Sequence, residues 1–348
     1  MKKVTIKDIA KKAGVSTATV SRALSKGALV ADETQFAIAK AAGELGYNRS
    51  SKALLRNEGK PGLIYFLMKS AQINPFARML DFSIIQAAEK WNIKIVSASL
   101  NPEATKTGKP DPLTEAHIIM HIQEAMKLCV KGMIISGFED KIMNKSISLL
   151  IQNCGIPIVF INRGFDSYSF TCVSSDASKG IYFATKYLLE NGRKNLLMLA
   201  LTWQMLRTRG FLRAIEEHSP EKPKHAVVEI HDDSIKNTYG ETEKIFKKNP
   251  HIDGILCSSD ELAAGVLRYL VHEGKKVPDD VELIGYNDNL APMLTPPISS
   301  VQVPIKEIAE SAIEMIVKEE AGTDPSLVKT VILEPRLIVR NWQNGPVL

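Results

Sequence analysis

The sequence predicts an all-α helix-turn-helix head followed by an α/β body of two doubly wound parallel-sheet lobes. Three observations lead there. The first 48 residues hold short helical patterns with their own start and stop signals. From Pro61 onward, apolar runs alternate with amphipathic helices, and that rhythm begins again after Asp176. The expected division is a head over 1–48, a linker over 49–60 and a body over 61–348.

The head is read element by element. A helix starts at Thr5, where Asp8 stands three residues on as a short form of the capping box, and Ile6, Ile9, Ala10 and Ala13 recur at helical spacing. Gly14 ends it. Ser16 is a good N-cap for a second helix, which buries Val20, Ala23 and Leu24 and stops near Gly27. A third starts at Asp32, with Gln35 at its third position, buries Ile38, Ala42 and Leu45, and stops at Gly46. Two short helices joined by a glycine-containing turn form a helix-turn-helix, whose second helix fits a major groove. Its open face offers Thr17, Ala18, Ser21 and Arg22. Small and hydroxylated side chains let the backbone approach base edges, while Arg22 has the geometry for a bidentate pair with guanine. Ser16, Thr19, Thr5 and Thr34 are placed to hold phosphates. A small bundle that binds protein is the competing reading, and spacing, capping and charge together disfavour it.

Charge locates the same segment. Residues 1–60 carry twelve Lys or Arg against five Asp or Glu, while the whole chain is +5, so the remainder is −2. Such asymmetry points to a polyanion partner for the head. The linker "RSSKALLRN" is basic yet holds Ala53, Leu54 and Leu55 in a row. So short a segment does not hold a helix alone in water. Ordering it therefore needs a partner that offsets the cost, and Arg49, Lys52 and Arg56 suit phosphates.

In the body, "GLIYFLM", "IKIVSASL", "GMIIS" and "IPIVFIN" read as buried parallel strands, separated by helices near 75–91, 114–128 and 141–152. After Asp176 come a helix to Asn191, "NLLMLAL", a helix from about Arg207, "AVVEI", a helix, "IDGILC", a helix to Gly274 and "VELIGY". Ligands of such sheets bind outside the carboxyl ends of the strands, between facing lobes. Those ends supply Asn162 and Arg163, Trp203, Ser258 to Asp260, and Asn287 to Asn289, with Arg207 opening the next helix.

Other chemistry is thinly represented. No apolar stretch reaches 18 residues and the N-terminus carries Lys and Asp rather than a signal segment, so a cytoplasmic location is expected. Cys129, Cys154, Cys172 and Cys257 lack any C-x-x-C pair and read as buried free thiols. "HIIMH" sets His117 and His121 four apart, but no Glu follows the first and no third ligand is apparent, so a polar helix face is preferred to zinc. Phosphate-loop, dinucleotide and nucleophile-elbow motifs are missing, so no cofactor is expected and the chain does not read as an enzyme. A solute-capturing transport protein would need an export signal and leaves the basic head unexplained. A sugar-processing enzyme explains only the body.

"VTIKDIAKKAGVSTATVSRAL" resembles the N-terminal signature of the lactose-repressor (LacI/GalR) family of bacterial transcription regulators. The likeness continues through "NPFARML", "SSDASKGIYFATKYLLENGRKNLLMLA", "RTRGFLRAI" and "GILCSSDELAAGVLRYLVHEGKKVPDDVELIGYNDN", so it spans almost the whole chain. The resemblance implies a periplasmic-binding-protein-like body and a homodimer on near-palindromic operator DNA. It implies base contacts from Thr17, Ala18 and Arg22, with Tyr47 leading into a hinge that includes Ser50 and becomes helical on DNA. It further implies effector contacts from Phe76, Arg207, Ser259 and Asn287, and a first lobe of about 61–162 plus 291–322 against a second of about 163–290 plus 323–340. A regulatory protein partner, as in catabolite-control relatives, is a further possibility the resemblance carries.

Departures from the family pattern bear on the effector. Many sugar-binding relatives have Asp where Asn162 and Asn287 stand. Losing two carboxylates while keeping Arg207 shifts the expected ligand from a neutral sugar toward a sugar acid or sugar phosphate, with Asp260 and Asp288 as remaining acceptors. Arg49 and Arg56 stand where the family has Pro and an apolar wedge, which leaves Leu54 or Leu55 to do that work.

Overall fold

The computed structural model describes residues 5–23, 34, 37–38, 41, 62–68, 75–99, 112–137, 145–161, 170–202, 204–218, 223–318 and 328–340. The head begins with α1 (Ile6–Ala13), entered as expected: Asp8 reaches back to accept from both the backbone N–H and the hydroxyl of Thr5, each at 2.7 Å. Gly14 leaves it at φ 67°, a left-handed conformation that costs a side-chain-free residue nothing. Ser16 Oγ then accepts from the Thr19 N–H at 3.0 Å and starts α2 (Thr17–Ala23). Ile9, Ala10 and Val20 are buried together with Ile38 and Ala41, so the third segment seals the other two. Thr34, Ile38 and Ala41 are helical, whereas Leu24, Ala42 and Leu45 lie outside the described residues.

The chain divides into two compact units, Met1–Ser174 with Lys306–Val331 and Ser175–Ile305 with Ile332–Leu348. In the body, the first unit alternates β1 (Gly62–Met68), α3 (Pro75–Glu89), β2 (Ile93–Ser99), α4 (Pro112–Lys127), β3 (Gly132–Ser136), α5 (Lys145–Asn153), β4 (Ile158–Ile161) and β5 (Cys172–Ser175). The second has α6 (Ala177–Glu190), β6 (Asn195–Leu201), α7 (Met205–His218), β7 (Lys224–Ile230), α8 (Ile235–Lys248), β8 (Gly254–Cys257), α9 (Asp260–His272), β9 (Glu282–Asn287) and β10 (Ser299–Gln302). Helix α10 (Ile305–Val317) then leads to β11 (Thr330–Leu333) and β12 (Arg336–Ile338).

Each sheet has six strands, ordered β11-β5-β4-β3-β1-β2 and β12-β10-β9-β8-β6-β7. The pairings among β1 to β5 and among β6 to β10 are parallel, and β12 alone is antiparallel to its neighbour β10 among the pairings described. Parallel strands covered on both faces must be apolar throughout, and β3, β4 and β8 are buried at every position. In the second unit the core joins Leu197, Leu199 and Ile255 on the strands to Phe246, Leu262, Val266 and Leu270 on α8 and α9.

The strand-to-strand crossings differ from the sequence expectation. The chain leaves the first unit near 175, returns near 305 and crosses again near 331, not near 162, 290 and 322. The physical reason is that β5 and β10 each join their sheet, beside β4 and β9, before the chain departs. Both are four-residue strands containing Ser or Cys, "CVSS" and "SSVQ", and lack the apolar run that marks a central strand. No helix among the described residues is long and apolar enough to cross a membrane.

Candidate nucleic-acid interface and ligand site

Helix α2 is anchored by Val20, which is fully buried, and turns Thr17, Ala18, Ser21 and Arg22 outward, all four exposed. Lys7, Lys11 and Lys12 are exposed on α1, so this surface carries four cations against Asp8. The proposed phosphate contacts are less uniform. The Thr5 hydroxyl already donates to Asp8, so it offers a phosphate a proton only by turning away. Ser16 Oγ and Thr19 Oγ1 lie 2.8 Å apart and share one proton, which leaves one hydroxyl of the pair free to donate. Thr34 is half-buried on its helix. Tyr47, Ser50, Ala53, Leu54, Leu55 and Arg56 lie outside the described residues.

In the second unit, the carboxyl ends of β6, β7, β8 and β9 gather the polar side chains. Arg207, on the first turn of α7, lies over Tyr286 with its guanidinium 3.7 Å from the ring centre, and donates to the Ser258 carbonyl. Burial pushes Arg207 below its ordinary value, opposed by Tyr286, Glu261 and Asp260; a guanidinium starts so high that it stays charged. One donor on Ser258 and one on Tyr286 leave further N–H groups for a ligand.

Asp260 departs from its expected part as an effector ligand. It is fully buried, and both oxygens are taken up inside the fold. One accepts from the backbone N–H groups of Asn289, Leu290 and Ala291 at 2.7, 3.0 and 3.1 Å; the other accepts from the Ser300 hydroxyl at 2.7 Å. Its place against β9 requires Gly285, where a Cβ would come within 2.2 Å of Asp260 Oδ1. Burial raises its pKa, and these four donors pull the other way. Asp288 is also occupied, accepting from Arg340 at 2.6 Å and Gln302 at 3.1 Å. The sequence reading offered both carboxylates as acceptors for a sugar; here they hold the loop after β9. Ser259 is the N-cap of α9, accepting from the Leu262 N–H at 3.2 Å, and is 4% exposed.

Asn287 stands differently. It ends β9 at φ 102°, is 9% exposed, and its amide makes no hydrogen bond to another described residue. Three further groups at these strand ends were missed from the sequence. Gln204, one turn before Arg207, has its Oε1 enclosed and without a partner among the described residues. Glu261, next to Asp260, accepts from the Asn289 amide at 3.2 Å. Asp233 follows β7. Burial raises the pKa of both acids, Asp233 is further raised by Asp232, and Glu261 by Asp260 and Asp233. The rule of searching strand ends, applied to β7 as it was to β8 and β9, would have found Asp233. Phe76 is half-buried on α3 in the first unit; Asn162, Arg163 and Trp203 lie outside the described residues.

A folded-state acid whose pKa is raised binds more protons than the unfolded chain does, so its contribution to stability falls as pH rises through the window above the ordinary carboxylate value. Asp233→Asn and Glu261→Gln are therefore expected to melt at or above the parent's temperature near neutral pH, with the difference vanishing below pH about 4, where both acids are protonated. Thermal unfolding across pH measures it, and a lower melting point in neutral buffer would contradict the assignment.

In the first unit, the Tyr65 hydroxyl sits between His121 Nδ1 at 2.7 Å and Glu124 Oε2 at 2.8 Å, so one face of α4 is tied to β1. Desolvation lowers the His121 pKa against the pull of Glu124. Among the described residues no group of three His, Cys, Asp or Glu is arranged to hold a metal ion. Cys154, Cys172 and Cys257 are buried free thiols, while Cys129 is only half-buried, in the turn after α4.

Comparison with known proteins follows the same division. Residues 5–50 match the model of the bacterial regulatory proteins of the lacI family, and residues 185–341 match that of a periplasmic binding protein-like domain. The chain is 26% identical over 351 residues to the HTH-type transcriptional repressor PurR of Histophilus somni (strain 129Pt), covering 97% of this chain and 98% of the relative. It is 28% identical over 350 residues to the ribose operon repressor of Halalkalibacterium halodurans, covering 98% and 97%. Among solved structures, the transcriptional regulator CelR in complex with cellobiose superposes with a TM-score of 0.63 at 21% identity, over 97% of this chain and 99% of that one, which shows a shared fold.

Proposed function

From a chain that belongs to the lacI family of bacterial regulatory proteins, we propose a cytoplasmic, homodimeric repressor that reads a near-palindromic operator and is controlled by a sugar or sugar-derived effector. The observation that carries the reading is the outward face of α2, where Thr17, Ala18, Ser21 and Arg22 stand exposed over the buried Val20. A head of this size reads one half-site, so tight binding needs two copies. Met79, Phe82 and Ile85 support a self-association surface: they lie along one face of α3 and are 42%, 60% and 38% exposed. The effector lies at the carboxyl ends of the second sheet, where Arg207 and Asn287 present donors and acceptors that the fold does not use. Arg207 also suits a carboxylate-bearing sugar.

Selection of bound duplexes from a random pool tests the DNA reading. Recovery of a near-palindrome is expected, and indifference to sequence at low and physiological salt would remove it. Retitrating that operator with and without a panel of sugars and sugar acids tests the effector. In the linker, Leu55→Ala is expected to weaken operator binding more than Leu54→Ala; equal and negligible effects in the same titration would count against a minor-groove wedge.

A further inference from the structure

We propose that Trp342, with the residues beside it in "NWQNGPVL", docks in a groove at the carboxyl end of α9 and pins the margin strand β12 to the second unit. Strand β12 runs antiparallel to β10, pairing Arg336, Leu337 and Ile338 with Gln302, Val301 and Ser300. Each residue gained beyond Ile338 is therefore matched by one lost before Ser300. Arg340 keeps that register: its N–H donates to the Ser299 hydroxyl at 3.0 Å and its side chain to the Ile298 carbonyl at 3.1 Å. Two residues on, the same register sets Trp342 opposite Pro296. Residues 341–348 lie outside the described residues, so it is the heading of the chain at Arg340 that points there.

Pro296 lines a groove of about 290 Å³, together with Val271, Val277 and Pro278 and with Lys275 and Lys276 beside them. Val271 is 53% exposed there, while its neighbour Leu270 is fully buried. The facing of the strands agrees. Alternate residues of a strand share a side, so Trp342 falls on the side of Ile338 and Arg340, level with Pro296, Ile298 and Ser300. That side is the one α9 covers, because Asp260 accepts from the Ser300 hydroxyl and Ile298 belongs to the core against which Val277 packs.

Pro296 and Pro297 have no N–H to give, so the ladder between β10 and β12 stops before them. Beyond that point side chains must hold the segment. An indole brings a large apolar surface and is attracted to a neighbouring ammonium, here that of Lys275 or Lys276. "NWQNGPVL" has no charged side chain, so docking removes no ion from water. The chain's own segment is favoured over a partner because Trp342 starts within about 7 Å of Arg340, which is already fixed, and little freedom is left to lose. Anchored there, the segment also keeps Arg340 on Asp288, in the loop that follows Asn287.

Mild oxidation of the full chain carrying Thr295→Cys with Gln343→Cys, the next pair in the register, tests this with Trp342 intact. The expected product is a link within one chain, absent from both single-cysteine variants. Labelling with 5-fluorotryptophan gives one fluorine signal for each of the three tryptophans, and that of Trp342 is identified by its loss in Trp342→Phe. Val271→Lys is expected to move the Trp342 signal and leave that of Trp91, in the first unit, in place. Trp342→Ala is expected to lower the melting temperature by roughly 4 °C or more. A link formed only between two chains would make the occupant a second copy and overturn the proposal. No link in the double variant, a Trp342 signal indifferent to Val271→Lys, or an unchanged melting temperature in Trp342→Ala overturns it equally.

Discussion

Asp260→Ala is expected to cost the second unit about 3–5 kcal/mol, enough to abolish cooperative unfolding in a marginally stable protein. Three backbone N–H groups and the Ser300 hydroxyl converge on this one buried carboxylate, and alanine leaves all four donors without a partner. Each unsatisfied buried group carries a penalty of about 1–3 kcal/mol, partly relieved as the loop relaxes toward water. Asp260→Asn retains one acceptor oxygen, so an intermediate loss is expected. Gly285→Ala should resemble the alanine variant, since its new methyl group would lie within 2.2 Å of Asp260 Oδ1. Denaturant titration measures all three. A loss below about 1 kcal/mol for Asp260→Ala, the typical effect of an ordinary substitution, would mean that the loop after β9 is held by other means.

Arg22→Ala is the second large effect, and it falls on DNA binding instead of stability. Arg22 is exposed on α2 and makes no contact that the head core requires, so the variant should fold as the parent does. A bidentate arginine–guanine pair contributes about 1–3 kcal/mol of discrimination, and a dimer spends it twice. The expected loss of operator affinity is therefore roughly 30-fold to 10⁴-fold, using about 1.4 kcal/mol per decade. Binding to unrelated duplex should fall far less, because that term comes from the lysines and the phosphates. An equal loss on both kinds of DNA would make Arg22 a phosphate contact and remove it from base recognition.

The head was legible because its signals are local. Thr5 with Asp8, Gly14 and Ser16 each act within a few residues of where they stand, and all three caps appear as read. The central strands were legible for a related reason: a strand buried on both faces needs an apolar run, and "GLIYFLM", "NLLMLAL" and "VELIGY" supply one. Strands β5 and β10, each second from one margin of its sheet, were not, because each is only four residues long with two serines and no apolar run, and its membership is decided by partners elsewhere in the chain. The same holds for the site. Arg207 and Asn287 follow from the rule that ligands meet strand ends, but nothing near Asp260 in sequence reveals that its partners are Asn289, Leu290, Ala291 and Ser300. A carboxylate at a strand end reads as a ligand contact until the tertiary fold shows which oxygens are already spoken for.

The last two strands, β11 and β12, are consecutive in the chain and lie at the margin of different sheets. Proteolytic nicking or premature termination ahead of residue 328 would thus strip one margin from each half of the body in a single event. Bare backbone donors and acceptors would be uncovered in both, and such margins invite pairing between chains. A few terminal residues thereby guard two independent halves against aggregation, and tags or fusions are better placed beyond Arg340 than between these strands.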